Sequence, residues 1–291
     1  MATCKHKVKV IFIETNLVSS DEKIPCRFSG AEYIEIPFKQ FIHSAGIIMQ
    51  RKYRFANTTF LIEFEYKYTE FLLFKYKVGD NADTDEYIKI SKSDIELERK
   101  FDKDAAAYPD EYLENIAVFR QVAEALINRD TLTFHGSAIC FDNKAYIFAG
   151  KSGSGKSTYA KRCIDSLGGR AYYINDDKPL LRFENEAWTV YGTPWNGKHN
   201  LGDNVSARLG GICFMCDGKS FEAETVDSEL AFQQLLGQAY RSPDPVRLEK
   251  ILGLVGKLKN TAIFKTDFSN EEKYAAEVLE QISASINDAL I

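Results

Sequence analysis

Apolar and polar residues alternate between positions 60 and 68. Phe60, Ile62, Phe64, Tyr66 and Tyr68 fall on one parity, and Glu63, Glu65 and Lys67 fall on the other. A period of two is the pattern of a strand with one buried and one wet face. After Thr69-Glu70 a second aromatic run, 71–78, carries Lys75 and Lys77, and the two runs together predict a hairpin. The segment 79–85, GDNADTD, breaks the pattern and reads as a loop. The first third is therefore expected to be β-rich, with the aromatic stripe as strand core rather than a ligand platform.

The period changes near residue 110. Pro109 suits a first helical turn, and Leu113, Ile116, Arg120, Ala123 and Ile127 recur at three and four, predicting a helix over 110–128. Two apolar runs follow, 131–141 and 144–149, joined by Asp142-Asn143. A two-residue polar joint between such runs predicts an antiparallel hairpin. Further strands are expected at 171–174, 179–183, 187–191 and 209–216, the middle two turning at Glu184-Asn185. The last quarter returns to helices. Asp244-Pro245 caps one with Leu248, Ile251, Leu252 and Val255 on its apolar face. Ser269-Asn270-Glu271-Glu272 matches a capping box ahead of Ala275, Val278, Leu279 and Ile282. The expected fold is mixed α/β, with flanking helices and a soft boundary near residue 105. It divides a β-rich part, 1–105, from a chemistry-bearing part, 106–291.

Composition narrows the function classes. The chain has 291 residues, 42 Asp+Glu against 37 Lys+Arg, and a formal charge of −5, which offers nucleic acid or anionic lipid no general attraction. No run of 18 apolar residues exists to span a membrane. Residues 1–10 are basic, but no apolar stretch follows them as in a signal peptide. Six cysteines are spread along the chain, and only Cys213 and Cys216 form a CxxC, inside a segment that reads as a buried strand. The expectation is a reduced, soluble, cytoplasmic protein; nothing in the sequence decides against a homo-oligomer.

The sharpest signal is Gly150-Lys151-Ser152-Gly153-Ser154-Gly155-Lys156-Ser157. It satisfies G-x-x-x-x-G-K-[ST], follows the apolar run ending at Ala149, and precedes a helix expected over 158–167. Glycines at 150, 153 and 155 let backbone N–H groups wrap an anion without Cβ clashes. Ser152, Ser154 and Thr158 fill the rest of this cradle, and the helix N-terminus adds partial positive charge. Lys156 can reach the β- and γ-phosphates of ATP, and the Ser157 hydroxyl can ligate Mg²⁺.

Phosphoryl transfer also needs a carboxylate on the metal side and a group that handles the nucleophile. Asp176-Asp177 closes the expected strand 171–174, where carboxyl ends of parallel strands line a ligand crevice. One can face Mg²⁺ and the other the attacking hydroxyl. His135 lies in the hairpin partner of the strand feeding the phosphate loop, near its base. Residues 193–200, TPWNGKHN, form a polar, Gly/Pro-broken loop that reads as a mobile, substrate-facing element. Within it Lys198 could neutralise transferring charge; Arg208 ranks behind it.

His135-Gly136-Ser137-Ala138, the hairpin, GKSGSGKS and Asn175-Asp176-Asp177 together resemble the catalytic domain of HPr kinase/phosphorylase, within a group sharing a phosphoenolpyruvate-carboxykinase-like nucleotide core. The resemblance covers about residues 130–216 and includes a Gly-Thr-Pro-Trp-x-Gly-Lys segment, 192–198, found in related HPr-kinase-like proteins. It implies that Lys156 contacts phosphate, that Ser157 ligates Mg²⁺, and that Asp177 accepts the proton of a seryl hydroxyl with His135 beside it. The chain departs from the family where a metal-holding Glu is expected: it has Val190-Tyr191-Gly192-Thr193-Pro194 instead. Either Asp176 takes that metal duty or the substrate geometry differs. The expected activity is an ATP- and Mg²⁺-dependent kinase acting on a hydroxyl, serine of a peptide or small protein. The alternatives are a small-metabolite kinase and a non-catalytic ATP-dependent peptide-binding module.

Overall fold

The computed structural model describes residues 47–101, 108–197, 199–216, 223–267 and 272–288. Met49–Phe55 (β1) and Thr58–Phe64 (β2) pair antiparallel through Ala56-Asn57, both at positive φ, and Glu86–Lys89 (β3) lies parallel to β2. The strand expected from residue 60 therefore stops at Phe64, and its hairpin partner precedes it. Residues 67–73 are a helix, α1 (Lys67–Leu73), followed by a 3₁₀ turn at Phe74–Tyr76, so the hairpin expected over 60–78 is not formed. The reason is a distant side chain. Glu114 accepts hydrogen bonds from the backbone N–H groups of Glu65 (2.6 Å) and Tyr66 (3.0 Å) and from Thr69 Oγ1 (2.7 Å), turning the chain at the helix entrance. Nor is the polar face of β2 wet: Glu63 is buried beneath Gln50, Tyr87 and Lys89, all bonded to its carboxylate.

Helices Lys92–Phe101 (α2) and Asp110–Ile127 (α3) complete this layer. Leu113, Ala117, Val118, Val122 and Leu126 of α3 share one core with Tyr53, Phe55, Phe60, Ile62 and Phe64.

The second sheet holds nine strands: Thr131–Thr133 (β4), Gly136–Phe141 (β5), Lys144–Ala149 (β6), Ala171–Asn175 (β7), Leu180–Glu184 (β8), Ala187–Tyr191 (β9), Ser206–Cys216 (β10), Glu224–Thr225 (β11) and Ile263–Asp267 (β12). The order is β4-β8-β9-β10-β6-β5-β7, with β12 also on β10 and β11 on β12. The sheet forks along β10, which pairs with β9 at Ser206–Arg208 and with β12 at Ile212–Cys216. Of the predicted hairpin over 131–149 only 136–149 forms, as β5 and β6, turning on Asp142 (φ 45°) and Asn143 (φ 64°); 131–133 is the separate strand β4 on β8, and His135 falls between β4 and β5 rather than within the hairpin. The β8–β9 turn falls at Asn185-Glu186, one residue later than expected.

Both faces of this sheet are covered, so its strands alternate between two apolar cores. Ala145, Ile147 and Ala149 face Leu235 of Ser228–Gln238 (α5) and Ile251, Leu254 and Val255 of Pro245–Leu258 (α6). Tyr146 and Phe148 face Tyr159 and Cys163 of Lys156–Leu167 (α4) and Ala275, Val278 and Leu279 of Glu272–Asp288 (α7). Cys213 lies in that second core as a buried thiol, its pKa driven up by desolvation. Asp244 caps α6 by accepting from Arg247 N at 3.0 Å, as its sequence predicts. The capping-box residues 269–271 lie outside the described residues.

Candidate functional site

β5 runs antiparallel to both β6 and β7, so β6 and β7 point the same way and end together. The crevice thus lies in a mixed sheet rather than a purely parallel one. It gathers the carboxyl ends of β6 and β7 and the first residues of β5 at one edge. Gly136 N donates to Asp177 O at 3.1 Å, which fixes His135 beside the aspartate pair. Arg208 sits at the opposite end, in register with Lys144 at the start of β6, about 16 Å away for a strand of that length.

Residues 150–155 connect β6 to α4. Gly150, Gly153 and Gly155 adopt φ of 141°, 79° and 85°, a region that side chains rarely tolerate. A Cβ on Gly153 would meet nothing within 4 Å, so the loop's crest is open. Gly155 caps α4 without any side-chain bond, leaving the first N–H groups of a 12-residue helix for another acceptor. Lys156 is buried and its ammonium donates to Gly150 O (3.1 Å) and Lys151 O (2.9 Å); burial lowers its pKa. The Ser154 Oγ is buried with no hydrogen-bond partner among the described residues.

Asp176 is buried and accepts from Ser137 Oγ at 2.7 Å, and the Ser157 hydroxyl also favours its charged form. Desolvation raises its pKa, and the two hydroxyls partly oppose that. Asp177 is more exposed. Its Oδ1 accepts from Lys178 Nζ at 3.0 Å and lies 3.6 Å from His135 Nε2, while Oδ2 accepts no hydrogen bond among the described residues. His135 is held below the ordinary imidazole range by burial first, then by Lys178 and Lys156. Its backbone N–H donates to Gln238 O at 2.8 Å. The Gln238 amide, turned so that its nitrogen faces oxygens, donates to His135 O (3.2 Å) and Gly150 O (3.1 Å).

His135, Lys156, Ser157, Asp176 and Asp177 thus converge, whereas Lys198 lies outside the described residues. The surrounding loop departs from expectation. Its first residues, Thr193, Pro194 and Trp195, are buried rather than exposed to a substrate. The Trp195 ring packs on Phe55 (5.3 Å) and Phe119 (5.1 Å), and Nε1 donates to Asn115 Oδ1 at 3.3 Å. Gly197 lies over the aspartates, where a Cβ would come within 3.4 Å of Asp176 O. Lys178 escaped the sequence reading, and Ser137 and Asn175 entered it only within motif segments, with no role assigned. Each adjoins a residue singled out there, but a polar neighbour in sequence carries no signal of where its side chain points.

No protein-family model matches the chain, and no curated protein matches it. Among solved structures, the Hpr(Ser) kinase/phosphatase from Coxiella burnetii shows a distant relationship of fold. The match covers 54% of this chain and 93% of that one, at 12% identity and a TM-score of 0.33. No helix among the described residues is long and apolar enough to cross a membrane.

Proposed function

We propose that the chain is an ATP- and Mg²⁺-dependent phosphotransferase whose acceptor is a hydroxyl, serine of a peptide or small protein. The observation that carries this reading is the buried Asp176 carboxylate, bonded to Ser137 and acted on by the Ser157 hydroxyl at the start of α4, with Asp177 and His135 on the adjoining turn. It brings a hard-oxygen pair to the foot of a glycine loop whose helix end is uncapped.

The residues present fit the two groups. Ser157 and Asp176 are oxygen donors of the kind Mg²⁺ prefers. The buried, unpartnered Ser154 Oγ, the open crest at Gly153 and the bare N-terminus of α4 suit a polyphosphate. Bound Mg²⁺ would supply charge neutralisation on the phosphates. Lys156 would exchange its two loop carbonyls for phosphate oxygens. Asp177, with Oδ2 unoccupied, would take the acceptor's proton. His135, its pKa lowered by burial, lies beside Oδ1, which Lys178 holds to one side.

The test is transfer from γ-labelled ATP to a serine-centred peptide library, with mass spectrometry locating the phosphate. Transfer should require Mg²⁺, vanish in Asp177→Asn with ATP binding retained, and fail together with binding in Lys156→Ala. Transfer by Asp177→Asn at the wild-type rate removes the assigned base. Thermal stabilisation by ATP and Mg²⁺ without transfer to any acceptor replaces the reading with a nucleotide-dependent binding module.

A further inference from the structure

One charged side chain in this site has no task in the mechanism above. Lys178 follows the aspartate pair, and its ammonium meets the same Asp177 oxygen that His135 approaches. Neighbouring residues in an extended chain point to opposite sides. Here the chain is folded back by the fully buried Asn175, whose Oδ1 accepts from the N–H groups of Asp177 (2.9 Å) and Lys178 (2.6 Å). The carbonyls of this turn are held as well. Lys178 O accepts from Thr193 Oγ1 at 2.9 Å, and Pro179 O accepts from Phe134 N at 3.0 Å. The lysine stem therefore springs from a backbone fixed on both sides, while its head stays about one-third exposed. An exposed ion pair contributes little to folding, so so much support for one is unexplained by stability alone. Both Lys178 and Lys156 act on the His135 ring, which puts the two ammonium groups within electrostatic reach of one another.

We propose that Lys178 is a catalytic residue that passes from Asp177 to the transferring phosphoryl group as the acceptor's proton arrives. The inference rests on the phosphotransferase reading above. In the step, the acceptor O–H bond breaks and its proton goes to Asp177 Oδ2. The acceptor oxygen bonds to the γ-phosphorus, and the bond from that phosphorus to the bridging oxygen breaks, the electron pair leaving with ADP. Once protonated, Asp177 no longer compensates the ammonium beside it. At that moment negative charge is growing on the phosphoryl and leaving oxygens. An interaction weak in the ground state and strong in the transition state raises kcat rather than tightening substrate binding. Holding Lys178 on Oδ1 also keeps Oδ2 open to the hydroxyl.

The experiment compares wild type, Lys178→Met and Lys178→Arg as full chains, using ATP, Mg²⁺ and the serine-centred peptide library. Initial rates, the KM for ATP and the melting temperature are measured together. K178M should lose about 10²–10³ in kcat, the size seen when one transition-state donor is removed. Its KM for ATP and melting temperature should stay near wild type, and K178R should recover part of the lost rate. Wild-type kcat in K178M overturns the assignment, as does a loss matched by a fall in melting temperature, or no recovery in K178R. Those outcomes leave the phosphotransferase reading standing. A wild-type chain that transfers nothing overturns that reading, and the role of Lys178 with it.

Discussion

The Ser137 hydroxyl, wholly shut from solvent, donates to Asp176 Oδ1 at 2.7 Å. This bond joins the second residue of β5 to the end of β7, and it supports a carboxylate whose burial disfavours its charge. A side chain that orients a metal-side ligand typically changes metal affinity by about 10–100-fold when removed. Ser137→Ala is accordingly expected to weaken Mg²⁺-dependent ATP binding by roughly tenfold. Calorimetric titration of Mg²⁺ at fixed ATP checks this; unchanged affinity would show that Asp176 needs no support from Ser137.

Asp176 also gives the stability of the ligand-free chain a definite pH dependence. Its folded pKa is raised, so the folded state binds its proton more readily than the unfolded chain does. This group's contribution is most favourable in acid. It is lost as pH rises from the ordinary carboxylate value, about 3.9, through the higher folded value. Asp176→Asn keeps the shape and removes the charge. At neutral pH the variant should melt above wild type, by about 2–4 °C for each kcal/mol gained in a chain of this size. The gap should close on acidification as wild-type Asp176 protonates. A gap independent of pH between 4 and 7, roughly the range these carboxylates span, contradicts the burial argument. The same variant should bind ATP without Mg²⁺ dependence.

Legibility in the sequence followed the range of the forces involved. Asp142-Asn143 announced the β5–β6 hairpin because a turn with two positive φ angles makes a local demand on residue type. The glycine pattern at 150–155 was legible for the same reason. Residues 66–73 were not: alternating aromatics there suit a strand, and the bond that decides for a helix comes from Glu114, 45 residues beyond Thr69. Trp195 followed the same rule, since nothing near it in sequence reveals the pocket between Phe55 and Phe119.

That pocket makes Trp195 a structural link between the N-terminal layer and the aspartate turn. The residue is 8% exposed, and its indole N–H satisfies the buried Asn115. Trp195→Ala should destabilise the chain by about 3–5 kcal/mol, the range for truncating a buried aromatic. Trp195→Phe should do less harm but leave Asn115 Oδ1 unpaired, at about 1–3 kcal/mol. Denaturant titration measures both. The chain has two tryptophans, so Trp188→Phe isolates the emission of Trp195. Emission at the wavelength of free tryptophan would place the ring in water and sink the link.

Asn175 gives the clearest separation between binding and chemistry. Its Nδ2 donates to Thr193 O (3.1 Å) and Thr193 Oγ1 (2.8 Å), while its Oδ1 takes the N–H groups of Asp177 and Lys178. One buried amide therefore sets the aspartate turn and ties the loop that covers it. The glycine loop 150–155 hangs instead on β6 and α4, and Gln238 supports Gly150 from α5. Asn175→Ala leaves two N–H groups without an acceptor, at about 1–3 kcal/mol each where water cannot replace it. A displacement of about 1 Å at a reacting group can lower turnover by about 10²-fold. The expected outcome is a loss of that order in kcat with the Kd for ATP little changed. Single-turnover transfer and equilibrium nucleotide binding on the same preparation test it. A Kd that rises in step with the lost rate would mean that Asn175 supports the glycine loop 150–155 as well as the turn.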